Sequence, residues 1–227
     1  MLFRSAAAAY FLADDCPHKA RRLAGEMFAR AGERIARETR RCFTLLNRSD
    51  KDDLHESYKE AVNFIDQIFR REAAALASLK EYSGRDSEVD AWLDDMLPRI
   101  AARKPARIKE VEDFYRLSCG IRGLKPQKPV VTADEMAAAR IVPKRNDALR
   151  GPFSSSYLRE KLGADVSLDL PIFRMDGRMT YEILNFIDGK NNLLEIRNAV
   201  SAEYGPVPVT WVKDFVDLLR LADIVQR

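Results

Sequence analysis

The sequence predicts a mainly α-helical protein of two units. One is a long-helix bundle over residues 1–120; the other is a small winged-helix domain, helical with short β, over 153–227. Three observations predict it. Apolar residues recur with a helical period through the first half, and prolines and glycines gather between 121 and 152. Closely spaced helix start and stop signals then fill the stretch after Thr180.

Pro17 suits a first helical turn. Ala20, Leu23, Ala24, Met27, Phe28, Ala31, Ile35, Cys42 and Leu45 follow as one apolar stripe. Asn47 to Asp50 interrupt it, and Ser49 or Asp50 offers a cap for the next helix. That helix carries Leu54, Ala61, Phe64, Ile65, Ile68, Phe69, Leu76 and Leu79, and stops before Gly84. Asp86 or Ser87 caps a third segment with Trp92, Leu93, Met96, Leu97 and Ile100, then Val111, Phe114, Tyr115 and Leu117. Pro98 and Pro105 should kink or split it.

GIRGLKPQKPVV and VPKRNDALRGP have the composition of a connector, broken by one short helical piece around Ala133 to Ile141. SSSYLREKLG reads as a short helix, and Val166 to Ile172 alternate like a half-buried strand. Asp176-Gly177 signals a turn. Thr180 is expected to cap a helix that runs to Ile187 and stops at Asp188-Gly189. Asn192 with Glu195 resembles a capping box for the next, ending at Tyr204-Gly205. Pro208 opens the last helix, whose stripe is Trp211, Val212, Phe215, Leu218, Leu219 and Ala222; Ile224 and Val225 then start a wing.

Hydrophobic residues make up 46% of the chain, enough for a buried core. The 38 basic and 35 acidic residues nearly cancel, so the whole chain is not marked as a polyanion binder. Cys16, Cys42 and Cys119 form no C-x-x-C pair and no disulfide framework, which fits a reducing cytoplasm. MLFRSAAAAYFLADD has the outline of a secretion signal, but its apolar run from Ser5 to Ala13 is short and diluted by alanine. No apolar segment approaches the roughly 20 residues of a membrane span.

Duplex binding by the last three helices needs cations against phosphate. From Thr180 onward, Lys190, Arg197, Lys213, Arg220 and Arg227 face Glu182, Asp188, Glu195, Glu203, Asp214, Asp217 and Asp223, a net charge of −2. Lys213 and Arg220 would be the contacts of such a reader, and this balance argues for packing instead. A basic stretch does exist between Pro17 and Leu46, where eight cations oppose three acids. Arg34, Arg37 and Arg41 share one face there, read first as a solvated face and second as nucleic-acid contacts.

No catalytic set is visible. His55-Glu56 lacks the second histidine of H-E-x-x-H because position 59 is Lys, and His18 is the only other imidazole. Asp14-Asp15 and Asp52-Asp53 fall at expected helix starts, where acids favour the dipole. Asp94-Asp95 sits within a helix, Ser154 to Ser156 read as a cap, and Cys119 has no nameable base. No catalytic residue, metal ligand or cofactor is assigned.

AAAAYFLADDCP with the Arg-rich helix after it, VPKRNDALRGPFSSSYL and IDGKNNLLEIRNAVSAEYGPVPV together resemble the C-terminal region of certain bacterial zinc aminopeptidase-like proteins. These belong to the co-catalytic two-zinc family that also holds glutamate-carboxypeptidase-like enzymes. The resemblance implies a peptidase domain ahead of a helical segment and a winged-helix-like module. The family's His-x-Asp, Glu-Glu pair, further acid and distant His match nothing here, so zinc is expected only if the chain is joined to a peptidase domain.

A second likeness is of IDG…EI…EYG and the leucine-rich last helix. It is similar to small peptide-chaperone domains of pyrroloquinoline-quinone and peptide-natural-product biosynthesis. That likeness implies strand addition at Val166–Ile172, with Leu218, Leu219 and Arg220 lining the groove, although Pro171 would blunt the edge.

The expected role is therefore a non-catalytic accessory, oligomerisation or regulatory module, partnered by a peptidase catalytic domain or by itself. Alternatives are a winged-helix DNA-binding regulator and a peptide-binding chaperone. Phe11, Phe43, Phe69, Trp92, Trp211, Leu218 and Leu219 are the candidate interface residues, since aromatic and aliphatic side chains populate interface cores.

Overall fold

A computed structural model describes residues 16–81, 87–149, 155–163, 170–174 and 177–226. The chain is mainly helical and divides into two compact units, Met1–Pro129 and Val130–Arg227.

The first unit begins with α1, Cys16–Arg48, followed by α2, Leu54–Ala77, which ends in a 3₁₀ turn at Ser78–Glu81. Then come α3, Ser87–Ala101, and α4, Lys104–Arg122. The two prolines act differently. Pro105 opens α4 at its first turn, whereas Pro98 is carried inside the last turn of α3. Neither Ser49 nor Asp50 caps α2: its N-cap is Asp53, with no side-chain cap bond. The Ser49 hydroxyl turns back to the Leu45 carbonyl at 2.7 Å instead, a local alternative always open to serine.

Cross-links fix the helix directions. Arg34 meets Glu72, Cys42 meets the Ala61 carbonyl and Ser49 meets Ser57, so α1 and α2 run antiparallel. Lys104 meets Asp66 and Tyr115 meets His55, which makes α4 antiparallel to α2 as well. α3 packs on both α1 and α2. Between the helices lie Phe64, Ile65, Leu76, Leu93, Ile100, Val111 and Tyr115, each 2% exposed or less. Burial of each such side chain contributes about 1.5–3 kcal/mol before entropy is charged.

The second unit holds α5, Ala133–Ala138, α6, Ser155–Leu162, a 3₁₀ turn at Pro171–Arg174, α7, Gly177–Phe186, α8, Leu193–Tyr204, and α9, Val209–Leu221. Asn192 and Glu195 form the full capping box of α8, Gly205 at φ 108° ends it, and Pro208 stands at the N-cap of α9. Thr180 is not a cap. It lies inside α7, its hydroxyl donating to the Gly177 carbonyl at 2.9 Å. Ile172, Met179, Ile183, Leu193, Ile196, Val212, Phe215, Leu219 and Ile224 form the core.

Residues 130–149, read from composition as connector, belong to this unit. Ala138 is in its core and Ile141 and Leu149 pack against it. The Leu193 and Gly189 amides donate to the carbonyls of Ile141 and Pro143, and Arg145 donates to that of Leu184. Composition registers prolines but not these non-local partners. Val225 makes one isolated antiparallel bridge with Arg145, flanked by amide bonds from Gln226 to Lys144 and from Asn146 to Ile224. Of the expected strand, residues 166–169 lie outside the described residues, and Pro171–Arg174 is a helical turn.

Candidate functional site

α4 is built so that one edge of its buried stripe spills onto the surface. Val111, Tyr115, Ser118 and Cys119 face the core. Phe114, Leu117 and Ile121 follow at i, i+3 and i+7, and so share a neighbouring face. Phe114 is half-buried, its ring centroid 4.9 Å from that of Phe43 on α1. Leu117 is 60% exposed and Ile121 76%. The sequence places Leu117 in the core stripe and Ile121 in the connector. The helix in fact runs through Gly120 to Arg122 and stops at Gly123, whose left-handed φ of 67° closes it. The uninterrupted 3.6 period through Ile121 was the available signal.

The outer surface of α4 neutralises itself. Arg107 pairs with Glu110, Lys109 with Asp113 and Arg116 with Glu112, all at helical spacing.

A second feature is an open cleft of ≈ 400 Å³ between the base of the bundle and the 126–129 segment. Tyr58 and Tyr115 stack there, ring centroids 4.0 Å apart and planes 2° from parallel. The Tyr115 hydroxyl contacts His55 Nδ1 at 2.6 Å and accepts from the Gln127 amide at 2.8 Å, fastening the extended segment to the bundle. Burial pushes both tyrosine hydroxyls above their ordinary pKa.

Among the interface candidates, Phe11 lies outside the described residues. Phe43 is half-buried at the α1–α4 seam, and Trp92 is half-buried near Gly25 of α1. Trp211 packs partly exposed against the second core. Phe69, Leu218 and Leu219 are buried inside their own units.

The cations divide by partner. Arg34 grips Glu72 through Nε at 2.7 Å and Nη2, and the Glu72 side chain is only 4% exposed. Arg41 bonds Glu38 at 2.9 Å and lies 4.3 Å over the Phe64 ring. Lys213 and Arg220 both bond Asp217. Arg37 is exposed, beside Arg30 and Arg40.

The carboxylate pairs and thiols have ordinary roles. Asp94 pairs with Lys80 and Asp95 with Arg99. Burial pushes the Cys42 thiol up to about 12, so it is inert at neutral pH, and Cys119 is buried too. Asp14-Asp15 and Ser154 lie outside the described residues. Among the described residues no group of three or more His, Cys, Asp or Glu could hold a metal ion, and no helix is long and apolar enough to cross a membrane.

Comparison of the chain with protein-family models, with curated proteins and with solved structures finds no match.

Proposed function

We propose that the chain is a non-catalytic docking module that self-associates, the apolar face of α4 meeting a second copy. The observation that carries this reading is the exposure of Leu117 and Ile121 on one helix face, continuous with half-buried Phe114 and Phe43. Removing that surface from water is favourable, and clustered apolar exposure marks interaction sites. A second copy suits the face because three ion pairs cancel most of the α4 charge beside it, Arg122 being held by main-chain carbonyls. Four side chains make a small patch, which fits weak, concentration-dependent association.

The likeness to the C-terminal region of zinc aminopeptidase-like proteins supports a place beside a peptidase domain; the quoted sequence stretches are its whole support. A DNA-reading winged helix draws on the helix-turn-helix layout, against which stands the capture of Lys213 and Arg220 by Asp217. Strand addition has only the peptide-chaperone likeness behind it.

The test is the double variant Leu117→Lys/Ile121→Lys, compared with wild type by light scattering on a sizing column. Wild type should elute above its monomer mass of 25.9 kDa at high concentration, and the variant should return to that mass with unchanged helicity. A variant that associates like wild type removes α4 from the account.

A further inference from the structure

We infer that the solvent face of α1 binds the phosphate backbone of double-stranded nucleic acid without reading sequence. Arg30, Arg34, Arg37, Arg41 and Arg48 fall at i, i+4, i+7, i+11 and i+18, within one narrow arc of the helix. At 1.5 Å per residue the row spans about 27 Å. Arg40 lies at its margin, and Arg30, Glu33, Arg34, Arg37 and Arg40 line an open depression of ≈ 530 Å³.

The cations of α3 and α4 stand differently from those of the ridge. On α3 and α4 the cations Arg99, Lys104, Arg107, Lys109 and Arg116 each have a carboxylate within ion-pair distance. On the ridge, Arg34 and Arg41 are held by Glu72 and Glu38. Arg30, Arg37, Arg40 and Arg48 are exposed, and their side chains make no hydrogen bond or ion pair among the described residues. Arg37 and Arg40, three residues apart, repel mildly, whereas Glu26 and Glu33 stand at helical spacing from Arg30, and Glu33 from Arg37, and temper the field there. Arg34 and Arg41, locked by their acids, stiffen its middle.

Chemistry selects the anion. The row is too long for one phosphate, and it lies in mid-helix, away from the free amides that would cradle one. No large apolar side chain is exposed along α1 to enter a lipid surface. No exposed aromatic ring stands beside the row to stack an unpaired base, so single strands gain nothing extra. A linear array of guanidinium groups with no amide readers around it suits a duplex backbone.

The experiment titrates the full chain into a fluorescent random-sequence duplex of thirty base pairs, following anisotropy from low to moderate salt. Four free arginines predict a slope of log K against log salt of about −3.6. The triple variant Arg30→Gln/Arg37→Gln/Arg40→Gln should flatten it to about −0.9, with affinity down about tenfold or more at low salt. It should melt close to wild type, because all three side chains are exposed. Lys213→Gln/Arg220→Gln should leave binding unchanged. Absence of binding at low salt, an unchanged slope in the triple variant, loss in the Lys213/Arg220 variant, or equal binding to poly-glutamate or to phosphatidylserine vesicles would each overturn the inference.

Discussion

Two arginines three residues apart, Arg34 and Arg37, show how little residue type decides by itself. Arg34 neutralises Glu72, a carboxylate that would otherwise be stranded in the α1–α2 interface, and its own guanidinium is raised in pKa first by that hydrogen bond. Arg71 Nε lies 3.9 Å from the same carboxylate, and Arg34 is partly exposed, which softens the loss. Arg34→Met should therefore cost about 2 kcal/mol in denaturant unfolding, while Arg37→Met stays within about 0.5 kcal/mol. Equal effects would mean that Glu72 is not a buried charge. The sequence groups these arginines correctly on one face, yet it cannot show which is matched, because Glu72 is 38 residues away.

Asp188 is a second case at this scale. Desolvation works to raise its pKa, but the amides of Asn191 and Lys190 outweigh it and hold the carboxyl below its ordinary value. A depressed folded value means the stabilisation is complete above the unfolded pKa and is lost as pH falls through the folded one. The melting temperatures of wild type and Asp188→Asn should differ at neutral pH and converge in acid. A gap that stays constant into acid would show that charge at Asp188 contributes nothing.

At the scale of elements, legibility follows how local the cause is. The capping box of α8, Gly205 and Pro208 act through neighbours in sequence, and each lies where the sequence puts it. Asn192→Ala should shift the unfolding midpoint by about 1 kcal/mol with no change in the slope. A silent substitution would mean the box adds nothing to the unit. Ser49 and Thr180 carry the right side chains for capping but spend them on nearby carbonyls, a choice that residue type leaves open. The role of residues 130–149 was hidden because it depends on α7, α8 and the chain end meeting Ile141, Pro143 and Arg145. Leu117 was obscured in the opposite way: its period matches the buried stripe, and only the packing of α4 reveals that this edge is exposed.

At the scale of the molecule, each unit has a buried apolar core of its own. Outside the first core lie the exposed Leu117 and Ile121 of α4 and the exposed Arg30, Arg37, Arg40 and Arg48 of α1, on which the two proposals rest. The helical class was legible from periodicity; the surfaces were not, since they are defined by what the fold leaves uncovered. Sedimentation equilibrium of the wild-type chain over a hundredfold range of concentration tests the docking account most directly. The account predicts an average mass that starts at 25.9 kDa and climbs toward twice that value as concentration rises. A mass fixed at 25.9 kDa up to the highest concentration would contradict it.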